Sequence, residues 1–267
     1  MTETHAKQGK PVLSFHEFTE DKSSSTLQKY QDIVIGNRRL SPLVWYELLT
    51  FFLTYRAGMI GLFLRQKLYR KLFRSLGPKV AFGNGISLKQ PGKISIGRGC
   101  IIDDQVNLSV RGSAEAGISI QDSAYIGRNT ELKAREGKIS IGEQSSIGSN
   151  CRIATNEGQI AIGREVFIAA FCYIGGGNHR FDRTDISIVR QGSQSKGGVT
   201  IGDDVWIGSN CVIADGVSIG KGAIIGSCSY VNKNIPAYAI AFGSPATVRR
   251  TRLTTEKPLG EAEIIDP

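Results

Sequence analysis

Aliphatic residues return at every sixth position through the last third of the chain: Ile201, Ile207, Ile213, Ile219, Ile225 and Val231, with Gly202, Gly208, Gly220 and Gly226 directly after four of them. A period of six fits neither the 3.6 of an amphipathic helix nor the alternation of one long strand. It fits a chain that turns a corner every six residues, with one aliphatic side chain pointing inward per flat side and glycine easing the turn. The same beat runs earlier through Ile96 and Ile102, then Ile120, Ile126 and Leu132, Ile141, Ile147 and Ile153, and Ile162, Ile168 and Ile174. Four residues beyond these aliphatics the chain is small or β-branched, as at Cys100, Ala124, Thr130, Ser145, Cys151, Val166, Cys172, Val205, Cys211, Val217, Ala223 and Ser229, which predicts a second inward layer. Three sides of six residues close a coil of eighteen, so Ile201 is expected to stack on Ile219. The pattern predicts an all-β solenoid of triangular section.

The interruptions are regular too. Extra residues follow only the third aliphatic of a coil, so the turns at 114–117, 135–138 and 157–159 are predicted to share one corner. At that corner the fourth coil extrudes a much longer loop, 175–198. Long loops on a rigid scaffold commonly carry function.

The front of the chain is different material. Residues 1–40 are polar and read as a flexible arm. Residues 41–77 read as an amphipathic helical segment opening with Ser41 as N-cap and Pro42 at the first helical position. Its apolar run carries Glu47 and Arg56 and is followed by Arg65, Lys67, Arg70, Lys71 and Arg74 among apolar residues. That composition suits a helix pair lying on an anionic membrane surface, or a cap on the open end of the solenoid, and an apolar stripe alone does not separate the two. The solenoid is expected over 78–236, with 237–267 as a closing turn and tail.

Composition adds constraints. The repeat absorbs much of Gly 32, and four of Cys 5 occupy the small inward slot, so they read as packing residues in a reducing, cytoplasmic compartment. No secretory-signal pattern opens the chain, and no Cys or His spacing suggests a metal. Lys+Arg 33 against Asp+Glu 24 asks for an anionic partner, with coenzyme phosphates and the cytoplasmic face of the inner membrane as candidates and no nucleic-acid motif. Of three histidines, His5 and His16 lie in the arm, which leaves His179 at the mouth of the long loop. An imidazole there can accept the proton of an attacking hydroxyl.

The repeat, with Gly177-Asn178-His179-Arg180-Phe181-Asp182, Val199 to Gly208 including Trp206, and the run Asn234 to Ala246, resembles the hexapeptide-repeat acyltransferases, in the maltose, nodulation-factor, colanic-acid and xenobiotic O-acetyltransferase branch. Ser244 departs mildly from the branch's usual Gly-Asn-Pro-Ala. The resemblance implies a left-handed parallel β-helix, a homotrimer and acetyl-CoA as co-substrate. It implies His179 as general base in direct acetyl transfer to a sugar hydroxyl, within cell-surface polysaccharide or glycolipid assembly. Asp182 or a backbone carbonyl would orient the ring, Asn178 and Trp206 would line the acceptor side, and Gly208 and Ser209 would offer backbone N–H groups to the oxyanion. Gly226 and Gly243 would allow close approach of the coenzyme, and Lys233 and Arg249 would meet its phosphates. Three alternatives stay open: an amino-sugar N-acyltransferase or drug-inactivating acetyltransferase, a non-catalytic scaffold, and a zinc carbonic anhydrase, which would need three histidine ligands where the solenoid offers one.

Overall fold

The computed structural model describes residues 24–253. Residues 1–23 and 254–267, with His5, His16 and most of the arm and tail, lie outside the described residues. The expected solenoid is present as three parallel sheets wrapped around one core. The first face runs from Ser75–Leu76 to Ser218–Ile219 in seven strands, and the third from Ser87–Lys89 to Tyr230–Val231 in seven. The second runs from Ala81–Phe82 to Ala239–Gly243 and ends on the antiparallel strand Ala246–Thr251, which closes that end of the prism.

Register follows the six-residue beat. Ile201 pairs with Ile219, Ile207 with Ile225 and Ile213 with Val231. Inward columns therefore form, such as Leu108, Leu132, Ile153, Ile174 and Ile213 on the third face, all fully buried. Burying each such side chain contributes roughly 1.5–3 kcal/mol.

The glycines act otherwise than expected. The left-handed turn residue falls three positions after the aliphatic, as at Asn129, Asn150 and Asn210, all near φ +58. The glycine directly after the aliphatic is needed for space: a Cβ on Gly142 would lie 2.3 Å from the carbonyl oxygen of Gly163 in the next coil. The small inward residues do more than pack. Thr130 Oγ1 donates to Gly148 O at 2.8 Å and Ser145 Oγ to Gly163 O at 2.8 Å. Cys172 Sγ donates to Gly208 O at 3.1 Å and Cys211 Sγ to Gly226 O at 3.1 Å. Each satisfies a corner carbonyl of the following coil. A side-chain hydrogen bond to Cys151, which accepts, and burial push the Cys172 thiol up to about 11.

Part of the expected arm is docked. Thr26–Tyr30 (α1) continues into a wider turn, Gln31–Ile35, which packs on the first coil: Gln90 Nε2 donates to Asp32 O at 2.7 Å, and Ile35 is buried. Two longer helices follow, Leu40–Leu53 (α2) and Gly58–Leu68 (α3). The N-cap of α2 is Arg39, not Ser41. Pro42 is accommodated because no amide in a helix's first turn has an intrahelical partner. Tyr46, Leu49, Leu53, Leu64, Leu68, Tyr69, Leu72 and Phe73 join the core, so the segment does cap the prism. Phe82 is the plug's anchor, with Tyr69 edge-on at 5.4 Å and Phe73 stacked at 5.5 Å. Arg65, buried and without a carboxylate salt bridge among the described residues, donates to Phe82 O at 3.0 Å and, through Nη1, to Leu53 O at 2.9 Å and Arg56 O at 2.7 Å. One guanidinium thus ties α3, the C-terminal end of α2 and the first coil together.

Buried thiols that hydrogen-bond to corner carbonyls are expected to be inert. In the folded protein a thiol reagent should modify Cys228, the exposed one, while Cys100, Cys151, Cys172 and Cys211 react only on unfolding. Mass spectrometry after alkylation, with and without denaturant, checks this.

Candidate active site

The long loop is an ordered hairpin. The chain leaves the third face after Tyr173–Gly176, swings out at Gly177 (φ +141), and pairs Asn178 with Gln194 and His179 with Ser193 in antiparallel register. Arg180 N–H donates to Gly192 O at 3.1 Å. Further out, the Gln191 side chain accepts from Arg183 N at 3.0 Å and donates to Arg183 O at 2.7 Å and Ile186 O at 3.1 Å, closing the tip. Re-entry is at Gly198, whose φ is +103 and where a Cβ would sit 1.8 Å from Gln159 O. No side chain fits at that junction.

Asp215, buried on a later coil, fixes the returning limb. It accepts from Ser195 Oγ at 3.2 Å, Lys196 N at 2.6 Å and Gly198 N at 2.9 Å. Three donors on one buried carboxylate hold the hairpin at a set angle to the prism.

His179 is exposed at the base of this hairpin. Its ladder partner Ser193 donates its hydroxyl to Glu157 Oε1 at 3.0 Å, so a carboxylate lies beside the histidine's neighbour. Asp182 is exposed, and among the described residues no hydrogen bond joins it to His179. Asn178 is exposed next to His179 in the same short strand.

Trp206, expected on the acceptor side, and the residues expected on the coenzyme side lie elsewhere on the prism. Trp206 points out from the second face, in register with Phe167 and Ile224, and is half exposed. Gly208 and Ser209 form the corner between the second and third faces, whereas His179 stands beyond the far edge of the third. The width of that face, on the order of 15 Å at ~3.3 Å per strand residue, separates the two groups within one chain. Gly208 N–H is not free for an oxyanion, since it donates to Ile225 O at 2.8 Å in the coil ladder. Ser209 N–H has no partner within the described residues. At Gly226 a Cβ would meet Phe242 Cβ at 2.8 Å, so this chain's own side chain stands close over that glycine. Phe242 also carries Arg249, whose guanidinium lies 5.3 Å from the ring centroid. Gly243, at φ +110, turns the closing hairpin, and Lys233 is exposed near the last coil.

Sequence reasoning missed Glu157, Ser193, Asp215 and Phe242. Alternation would have placed Phe242 outward, between inward Ala241 and the turn glycine. Nothing in the spacing marks Asp215, which acts across a loop from its partners.

Removing the clamp should free the hairpin. Asp215→Ala is expected to raise tryptic cleavage at Arg180, Arg183, Arg190 or Lys196 at least about tenfold, with the solenoid's circular dichroism unchanged. Timed digestion with mass mapping of the cuts checks this.

The bacterial transferase hexapeptide (six repeats) family model matches residues 198–233. Chloramphenicol acetyltransferase of Klebsiella aerogenes is 47% identical over 64 residues, covering 24% of this chain and 30% of the relative. Galactoside O-acetyltransferase of Lactococcus lactis is 41% identical over 61 residues, 23% of this chain and 30% of the relative. The chain thus spans about three tenths of the length of the curated relatives it matches. Among solved structures, the polySia specific acetyltransferase NeuO aligns with a TM-score of 0.49 at 24% identity, covering 71% of this chain and 90% of that one. Among the described residues no group of His, Cys, Asp and Glu is placed to hold a metal ion. The match over 198–233 lies in the last coils of a solenoid whose six-residue beat the strands carry back to Phe82, so the chain is built of hexapeptide repeats similar to those of that family.

Proposed function

We propose that the protein transfers an acetyl group from acetyl-CoA to a sugar hydroxyl, in cell-surface polysaccharide or glycolipid assembly, at sites shared between copies of the chain in a homotrimer. The observation that carries the reading is the placement of His179, the single histidine among the described residues, on a clamped hairpin at one corner of a transferase-type solenoid. The names of the relatives support acetyl transfer, one of them to a galactoside oxygen. The separation of His179 from Trp206, Ser209 and Arg249 across the third face supports the shared site, because a second prism laid against the first brings one copy's hairpin to the other copy's coenzyme corner. The half-exposed apolar residues Phe167, Trp206, Tyr173 and Val212 on the two faces meeting at that corner suit such a contact.

The chain's own residues fit the coenzyme. Ser209 offers an unused N–H, while Arg249, stacked on Phe242, and Lys233 offer cations for phosphates. Acetyl-CoA supplies the thioester carbon. His179 takes the proton of the acceptor hydroxyl as its oxygen bonds to that carbon. The carbon–sulfur bond then breaks, and the thiolate takes up the proton, leaving the acetyl ester and free coenzyme A. Ser209 N–H faces the transient oxyanion. In this reading the ring is oriented through the Ser193 side of the hairpin, with Asp182 free to contact the acceptor.

Thiol release from acetyl-CoA in the presence of cell-envelope oligosaccharides should be acceptor-dependent and fall about 10²–10⁴-fold in His179→Ala, with coenzyme affinity and oligomeric state retained. Full activity in that variant, or turnover only with amine acceptors, defeats the assignment. Co-expression of His179→Ala with Trp206→Glu chains should restore part of the activity that neither has alone, since mixed trimers contain one intact composite site.

A further inference from the structure

The capping helices are apolar on two opposite sides, and the solenoid covers only one. On α2, Tyr46, Leu49 and Leu53 recur at helical spacing towards the core, while Val44, Trp45, Leu48, Phe51 and Phe52 occupy the other side and lead on to Tyr55. On α3, Gly61, Leu64, Arg65 and Leu68 face the prism, while Met59, Ile60 and Phe63 face away. Phe51 is 81% exposed, Tyr55 79%, Met59 89% and Ile60 75%. A helix apolar on both sides calls for a second apolar medium on its outer side.

The charges around this face have one sign. Arg56, Lys67, Arg70, Lys71 and Arg74 are exposed, and the stretch 56–74 contains no Asp or Glu. Glu47, the acid of α2, accepts the Tyr30 hydroxyl. Lys71 Nζ lies 3.4 Å from the Trp45 ring centroid and Lys67 Nζ 4.5 Å from that of Phe63, so cations stand at the edge of the aromatic patch. That is the order of groups at a bilayer surface, with apolar tips below, aromatic rings at headgroup depth and cations among the phosphates. A symmetric contact between two copies would instead set like charges against each other. With 14 and 11 residues, α2 and α3 are about 21 and 16 Å long at ~1.5 Å per residue, short of the ~30 Å hydrocarbon core. Among the described residues no helix is long and apolar enough to cross a membrane.

We propose that α2 and α3 seat the capped end of the solenoid on an anionic lipid bilayer, lying in its surface with Phe51, Tyr55, Met59 and Ile60 inserted and the five cations among the headgroups. The cap therefore does double duty: its inner side closes the prism and its outer side binds lipid. Near an anionic surface each Lys or Arg strengthens binding about fivefold, so binding depends on both charge and insertion.

The test is co-sedimentation of the full-length protein with vesicles of phosphatidylcholine alone or with one third phosphatidylglycerol, at low and high salt. Wild type is expected to bind the anionic vesicles and to release as salt rises or phosphatidylglycerol is removed. Arg56→Gln with Arg70→Gln should weaken binding about 25-fold. Phe51→Ser with Ile60→Ser should weaken it at least about tenfold, with melting temperature and oligomeric state unchanged. Absence of wild-type binding to anionic vesicles overturns the proposal, as does unaltered binding by both double variants. A Phe51→Ser, Ile60→Ser protein that binds vesicles like wild type but dissociates into smaller species overturns it in favour of a second copy covering this face.

Discussion

The stacking of each coil on the next governs everything else in this structure. Every face strand is hydrogen-bonded to the equivalent strand one coil away and carries its aliphatic side chain into the same column, so no face can gain or lose a residue without turning its neighbours' side chains inside out. Length variation is tolerated only at a corner. The protein concentrates it at the corner between the third and first faces, where turns at 112–116, 136–137 and 156–158 stand in line with the hairpin bearing His179. The hairpin's position is thus a consequence of coil register, and its angle is set by Asp215 from the following coil.

The same constraint explains what could be read from the chain. Columns of Ile and Leu, the second inward layer, the shared corner and the hairpin's limits all follow from a period of six, because each depends on one repeating geometry. The role of glycine was harder to read, since spacing marks where glycine recurs but not why. The collision that excludes a side chain at Gly142 comes from a residue 21 positions away. The docking of Gln31–Ile35 was hidden for a similar reason: it rests on Gln90, distant in sequence and outside any periodicity. At the candidate site, His179 stood out by elimination, whereas Glu157 and Asp215 act through loop contacts that no local pattern encodes. Gly208 and Gly226 show the reverse, that the motif alone does not tell what each of its glycines does. Both carry the motif's glycine, but one N–H belongs to the coil ladder and the other glycine lies beneath Phe242.

A triangular prism also limits what one chain can do alone. Its three corners point apart, so a group projecting from one corner and groups lining another meet only in a groove between two prisms. The stack of Arg249 on Phe242 matters in this light, because it holds a cation against the end of the second face instead of leaving it to sweep through solvent.

The two ends of the prism are closed by unlike devices, and under the proposed function the difference bears on the acceptor. The late end folds back as a small antiparallel hairpin, while the early end carries helices whose outer side is as apolar as the inner. Phe82 belongs to the first coil and Ile168 to the coil that extrudes the hairpin, with Ile102, Ile126 and Ile147 between them. Four strand spacings of ~4.8 Å therefore place His179 about 19 Å above the first coil along the prism axis. The cap adds a helix layer of roughly 10 Å. With the cap seated as proposed, its outer side inserted, and the axis upright, His179 would stand on the order of 20–30 Å above the headgroups. A hydroxyl next to a lipid phosphate would not reach it, whereas one several sugar units out on a lipid-linked glycan would. Under the proposed seating and the proposed transfer, height above the membrane, fixed by the number of coils between cap and hairpin, would select which sugar is presented to His179.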